Sequence, residues 1–383
     1  MSGNFTYQGW DLKDLFISEQ YILDNLTGQE LWVWGYNADG ELGDNSITNR
    51  CSPKETIGGG NNWKQISTGR FASAAIKTDG TLWTWGANYN GQLGDGTITK
   101  KSSPVQTIAG GTNWKQVAAG HTFLTAIKTD GTLWTWGFNG DGQLGDNSVT
   151  PKSSPVQTVA GGTNWKQVAA AGSFGAAIKT DGTLWSWGLN SSGQLGDGTT
   201  DNKSSPVQTT SAGTTWKYVS AGIGSRHTAA IKTDGTLWNW GDVPLSGNKS
   251  SPAQVMPSST DWKSVSIGMC HSAAIKMDGT LWAWGLNTYG QLGTGDTTDK
   301  NSPNEVGGSN WKSVSAGYGN NIALKTDGTL WSWGYNVFGQ LGTGNTTYVS
   351  SPVQVTAMNS WRSISNAMYN TSAALKITEG ISI

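Results

Sequence analysis

Charged residues make up only 13% of this 383-residue chain, and its 25 Lys and Arg nearly cancel its 26 Asp and Glu. With a formal net charge of −1 and dispersed basic residues, the chain has no electrostatic footprint for nucleic acid or an anionic membrane surface. Cysteine is almost missing. Cys51 and Cys270 stand far apart, and neither belongs to a disulfide or metal-binding pattern. No apolar run approaches the roughly 20 residues that cross a bilayer as a helix. The first residues lack the charged-then-apolar layout of a secretory leader. Nucleophile elbows, phosphate loops and zinc spacings are also absent. These shortages predict a protein that is not an enzyme, holds no cofactor or metal, and binds neither nucleic acid nor the interior of a membrane.

Glycine (54) and tryptophan (22) are abundant. Low charge with much glycine is the composition of a disordered chain, but the tryptophans are too regular for that. The phrase Leu-Trp-x-Trp starts at Leu31, Leu82, Leu133, Leu184, Leu237, Leu281 and Leu330, at offsets of 51, 51, 51, 53, 44 and 49 residues. Seven further tryptophans, Trp63, Trp114, Trp165, Trp216, Trp262, Trp311 and Trp361, open a second repeated segment, and only Trp10 falls outside the pattern. A period of about 40–50 residues with several short strands per unit is the mark of a β-propeller.

Residues 113–157 show how one repeat reads. Trp114–Ala119 is a first strand and Leu124–Lys128 a second. Asp130-Gly131 lies between two apolar runs, the signal of a tight hairpin whose turn needs positive φ. Leu133–Gly137 is the third strand, where strict alternation places Trp134 and Trp136 on one face. A Gly-rich loop then leads to Ser154–Gln157, whose Pro155 suits an outer edge. A tryptophan buries roughly 200 Å², so a pair contributes on the order of 10 kcal/mol before entropy is counted. One blade cannot cover both rings, so they are expected to wedge between neighbouring blades.

The chain enters at a third strand (Leu31–Gly35) and leaves after a first and a second (Trp361–Ile364, Ala373–Lys376). The expected fold is therefore all-β: a seven-bladed propeller of four-stranded antiparallel blades, with the closing blade split between N- and C-terminal strands. It would occupy residues 27–383. Tyr21–Leu23 also reads as a second strand and could compete with Ala373–Lys376. Residues 1–26 stand apart as an arm whose Trp10, Leu12, Leu15 and Phe16 are candidate attachment residues.

In an up-and-down blade, the first–second and third–fourth connections emerge on one face, and sequence variation concentrates there. First–second loops supply Arg70, Phe71, His121, Phe123, Phe174, Arg226, His227, Met269, Tyr318 and Tyr369; third–fourth loops add Tyr289 and Phe338, with Tyr36, Tyr89, Tyr335 and Tyr348 beside them. Aromatic residues and arginine dominate interface hot spots, so this face is the candidate protein-binding surface. The same residues can instead plug the end of the channel. His227 and His271 share a repeat position that Phe123, Phe174 and Thr371 fill elsewhere, which reads as packing rather than catalysis. One repeat breaks the rhythm: Asp242-Val243-Pro244-Leu245-Ser246-Gly247 replaces the long loop and should leave a notch.

Trp-Lys-x-Val-x-Ala-Gly, Ala-Ala-Ile-Lys-x-Asp-Gly-Thr-Leu-Trp-x-Trp-Gly and Asn-x-x-Gly-Gln-Leu-Gly together resemble the regulator of chromosome condensation repeat. The match spans residues 28–377. It implies a seven-bladed propeller with a split closing blade. The nucleotide-exchange and nucleosome-docking roles of the eponymous members are not expected here, because this chain lacks their basic tail and wedge-like insertion. Other propellers of this kind work by binding proteins, as an enzyme inhibitor does. The Asp11–Phe16 arm and the abrupt entry at Leu31 are also similar to bacteriophage virion accessory proteins. That resemblance implies a tail, baseplate or capsid role on the virion, with other virion proteins or a host surface component as partner. The alternatives are a free protein-binding propeller in the bacterial cytoplasm and a carbohydrate-binding adhesin.

Overall fold

The computed structural model describes residues 28–378 except 59, 211, 212, 223, 225, 368 and 369. Seven four-stranded antiparallel sheets form the blades of a closed ring. Blades 1 to 6 are continuous and begin at Trp63, Trp114, Trp165, Trp216, Trp262 and Trp311. Blade 7 joins Trp361–Asn366 and Thr371–Ile377 to Gln29–Gly35 and Arg50–Glu55. Its two ends zip together over seven residue pairs, from Gln29 opposite Ile377 to Gly35 opposite Thr371. Tyr21–Leu23 lie outside the described residues.

The specimen repeat forms strands at Trp114–Ala119, Phe123–Lys128, Leu133–Gly137 and Lys152–Gln157. The fourth strand is the outer one, and its Pro155 sits beside a break in the pairing register between Lys152 and Val156. An edge is where a residue without an N–H can be accommodated.

Each core cluster combines two blades. Ile76, Leu82 and Leu93 of blade 1 pack with Trp114, Val117, Leu124 and Trp136 of blade 2. The two tryptophans of a Leu-Trp-x-Trp phrase share a face but not a depth. Trp136 is fully buried between blades, whereas Trp134 is only half-buried and packs on the cluster's margin. Lys128 completes that margin, its Nζ lying 4.8 Å from the Trp114 ring and 4.3 Å from the Trp134 ring. The expectation that both rings are wedged between blades thus holds for the second ring alone. The first ring is a platform for a lysine stem and its charge, a cation–π contact of modest strength.

The first strands surround the central channel, a cavity of about 200 Å³ lined largely by serine, alanine and glutamine. Gln116 bridges blades 2 and 3: its Nε2 donates to the Val168 carbonyl at 3.1 Å, and its Oε1 accepts the Val168 N–H at 3.2 Å. Where the glutamine is missing, a serine two residues later does the bridging. Ser365 Oγ accepts the Thr68 N–H at 2.9 Å and so joins blade 7 to blade 1.

Candidate functional site: the loop face

The third–fourth loops are rigid because a buried asparagine clasps each long one. In blade 1, Asn88 Oδ1 accepts the Leu93 N–H at 2.9 Å, while Asn88 Nδ2 donates to Asp95 Oδ1 at 3.1 Å and to the carbonyl oxygens of Thr97 and Thr99. Leu93 is thereby driven into the core cluster with blade 2. Asp95 is held by Asn88 and Thr97, so turn geometry accounts for it. The repeated residues of the motif are thus spent on holding the loop, and its variable positions project from the face.

Those positions build aromatic clusters across blade junctions. Tyr335 of blade 6 lies 4.8 Å from the Tyr289 ring of blade 5, 5.9 Å from Tyr318 and 5.1 Å from Tyr348. Burial raises the Tyr335 hydroxyl above its usual range, assisted by the neighbouring phenols. At the next junction, Phe338 of blade 6 meets Tyr36 of blade 7 at 5.2 Å. Further round, the Tyr89 hydroxyl of blade 1 donates to Asp39 of blade 7 at 2.9 Å, and Lys100 pairs with the same carboxylate at 3.2 Å. The Arg70 guanidinium then lies 4.6 Å from the Phe71 ring centroid, and Phe71 packs at 5.3 Å on His121 of blade 2. Burial, with Arg70 nearby, lowers the His121 pKa to about 4, so the ring is neutral at physiological pH. The arc therefore runs over blades 5, 6, 7, 1 and 2.

Other expected residues stand elsewhere. Phe123, Phe174 and His227 are wholly buried. Each opens the second strand of its blade, where the chain has already turned inward from the loop, so they support the face from beneath and offer it no accessible surface. Burial brings the His227 pKa down to about 3 and that of His271 to about 4. Arg226 and Met269 line a separate cavity with Cys270 at the junction of blades 4 and 5. Tyr369 and the arm residues Trp10, Leu12, Leu15 and Phe16 lie outside the described residues. Among the described residues, no three His, Cys, Asp or Glu side chains converge as metal ligands. Sequence reasoning missed the Asp39–Tyr89–Lys100 link, for which the chain carries no local signal. It also missed the channel bridges, although glutamine or serine at fixed offsets from each Trp-Lys was a usable one.

Comparison with known proteins agrees with this architecture. Residues 21–248 match the RCC1-like domain, and residues 278–324 and 327–371 match the regulator of chromosome condensation (RCC1) repeat. The ultraviolet-B receptor UVR8 of Arabidopsis thaliana is 33% identical over 288 residues, covering 72% of this chain and 65% of the receptor. The human probable E3 ubiquitin-protein ligase HERC6 is 30% identical over 248 residues, covering 61% of this chain and 24% of the ligase. The chain thus matches less than two thirds of the length of either relative. Among solved structures, human WBSCR16 superposes with a TM-score of 0.81 at 20% identity, covering 91% of this chain and 98% of that one. Yeast RCC1 (Prp20), in its complex with Kap60, also gives a TM-score of 0.81, at 17% identity, covering 100% of this chain and 95% of that one. At such identities the likeness is one of fold.

Proposed function

The chain belongs to the regulator of chromosome condensation repeat family, and on that premise we propose that it is a non-enzymatic propeller that binds another protein through its loop face. The aromatic arc carries this reading. Tyr289, Tyr318, Tyr335 and Tyr348 gather from two blades into one cluster, with Tyr348 still 43% exposed. Rigid aromatic rings lose little conformational entropy on binding and anchor interfaces well. Yeast RCC1 with Kap60 offers a precedent for a propeller of this fold that binds a protein. The finer setting in the proposal is a virion accessory role with residues 1–26 as the attachment arm. Its support is the sequence of that arm alone.

The test is a tagged chain carrying Phe71→Ala, Tyr289→Ala, Tyr335→Ala and Phe338→Ala, checked for native circular dichroism and compared with wild type in quantitative co-purification. The expected result is loss of a stoichiometric protein partner. An unchanged partner set would overturn the reading. Glycan-array binding abolished by Tyr289→Ala and Phe338→Ala would assign the face to carbohydrate instead.

A further inference from the structure

We infer that the junction between blades 4 and 5 is an open socket for a Gly-x-Leu-Gly turn supplied by a protein partner, a conclusion that rests on the protein-binding reading above and gives it a location and a chemistry. The other six junctions define what the socket accepts. In each, the long third–fourth loop of one blade lays a main-chain carbonyl against the second tryptophan of the next. Trp34, Trp85, Trp136, Trp187, Trp240 and Trp333 donate through Nε1 to the carbonyl oxygens of Gln340, Glu41, Gln92, Gln143, Gln194 and Gln291, at 2.8 to 3.0 Å. The following leucine of every such loop is fully buried. Its own carbonyl accepts a hydroxyl from the third strand in four blades, for example Thr84 Oγ1 to Leu93 O at 2.7 Å. A loop amide further on donates to the outer strand of the next blade, as Gly96 N–H does to Ser153 O at 3.0 Å.

Blade 4 lacks this loop, and its groups are left waiting. Trp284 of blade 5 is 4% exposed, and among the described residues its Nε1 has no acceptor. Asn239, which stands where Thr84 stands in blade 1, is 6% exposed and its amide has no partner. Both residues line a cavity of about 180 Å³, together with Val243, Asn301 and Pro303. Among the described residues, no loop amide reaches the Asn301 carbonyl, the counterpart of Ser153 O. Even the second-strand hydroxyl is diverted: Ser73 bonds Glu41 O at 2.9 Å, whereas Ser272 turns to His227 Nε2 at 3.4 Å. Neither the Trp284 nor the Asn239 nitrogen is sealed off: both belong to residues that line the cavity, where water serves them in the free chain and a ligand carbonyl can replace it.

The hairpin that replaces the loop adds a second observation. Leu245 sits at its tip with φ of +61° and 45% exposure, in a conformation that favours glycine. It lines a further cavity of about 360 Å³ with Arg226, Asp242, Met269 and Leu286, opposite in strand alternation to the Asn239 and Val243 side. A turn seated in the socket would thus place its leucine-type side chain in the blade junction, its carbonyls on Trp284 and Asn239, and its flanks against Leu245 and Met269. The chain's own loops show the required shape, with Gly91 and Gly94 at φ of +75° and +63° around Gln92-Leu93.

The experiment uses the full chain and a cyclic peptide containing Gly-Gln-Leu-Gly-Asp-Gly, the sequence of residues 91–96. Titration is followed by ¹⁵N NMR of the indole and side-chain amide resonances. The expected result is saturable movement of the Trp284 indole and Asn239 amide signals, with affinity weakened about tenfold or more when the peptide leucine becomes alanine. A second variant replaces residues 242–248 with the blade 3 loop, residues 189–202, since Gly241 and Lys249 pair as Gly188 and Lys203 do. It should gain thermal stability and lose peptide binding. Unmoved Trp284 and Asn239 signals, or peptide binding that survives the graft, would overturn the socket. Co-purification separates the two proposals. Partner loss on removing the arc aromatics with retention on the graft refutes the socket alone, whereas retention in both variants refutes the protein-binding face as well.

Discussion

Trp85 Nε1 donates a 2.8 Å hydrogen bond to the carbonyl oxygen of Glu41, a residue of the preceding blade. The bond ties a core tryptophan to a loop tip 44 residues away in sequence, so packing and loop position are set together. Trp85→Phe removes the donor and leaves the carbonyl with only the Ser73 hydroxyl. Trp284→Phe removes a ring of the same size whose Nε1 has no acceptor. Urea denaturation should therefore show Trp85→Phe less stable than Trp284→Phe by about 1 kcal/mol, the net worth of one hydrogen bond. Equal losses would mean that the loop carbonyl contributes nothing.

Glu41 fills the loop position that Gln92, Gln143, Gln194, Gln291 and Gln340 occupy in other blades. Its Oε2 accepts the Asp39 N–H at 2.9 Å, while Oε1 is buried without a partner. Burial raises its pKa from 4.5 to about 7. Because the folded value lies above the unfolded one, the folded state holds the proton more tightly. Stability is therefore lost as pH rises through 4.5 to 7, and the full cost persists above 7. Glu41→Gln escapes that cost. Its unfolding free energy in urea should match wild type at pH 4 and exceed it at pH 8, by up to about 3 kcal/mol at 1.36 kcal/mol per pKa unit. A variant with the same advantage at both pH values would refute the titration of Glu41.

The ring, its seven sectors and the split closing blade were legible because period, alternation and the Asp-Gly turns are local signals. Depth was not. Alternation places Trp134 and Trp136 on one face but says nothing of how far each lies from solvent, which depends on the neighbouring blade. Phe123 and Phe174 read as loop residues because they follow the glycine that ends the first strand, yet they already belong to the second strand and are buried. Tyr289 and Tyr335 were each visible as loop aromatics. Their 4.8 Å approach is a property of two blades meeting and has no sequence counterpart.

Gly94 lies at φ of +63°, and a Cβ built there would be 2.7 Å from Trp136 Nε1. Gly110 lies at φ of +53° with open space around it. Both need left-handed backbone, but only the first is also crowded. Gly94→Ala should cost more than about 2 kcal/mol through strain and displacement of the indole, whereas Gly110→Asn should stay within about 1 kcal/mol because asparagine tolerates this region. Comparable denaturation midpoints for the two variants would refute the role of the Gly94–Trp136 contact.

The channel bridges invite a swap. Blades 2 and 3 carry Gln116 and Gln167 with Ala118 and Ala169 two residues on, while blades 4 to 7 carry Ser220, Ser266, Ser315 and Ser365 at that later position and no glutamine. Each of these serines accepts a first-strand N–H from the next blade, at 2.9 to 3.3 Å. Gln116→Ser alone strips the Val168 N–H and carbonyl of their partner and should cost about 1–2 kcal/mol. Adding Ala118→Ser supplies a hydroxyl placed to accept the Ala170 N–H, the equivalent of the Ser67 bond to the Ala119 N–H at 3.0 Å. Blade 1 carries both bridges at once, Gln65 on Val117 and Ser67 on Ala119, so the two bonds serve different backbone groups. Ala118→Ser should therefore offset most of the Gln116→Ser loss additively in urea denaturation, and a double variant no more stable than Gln116→Ser would refute the serine bridge.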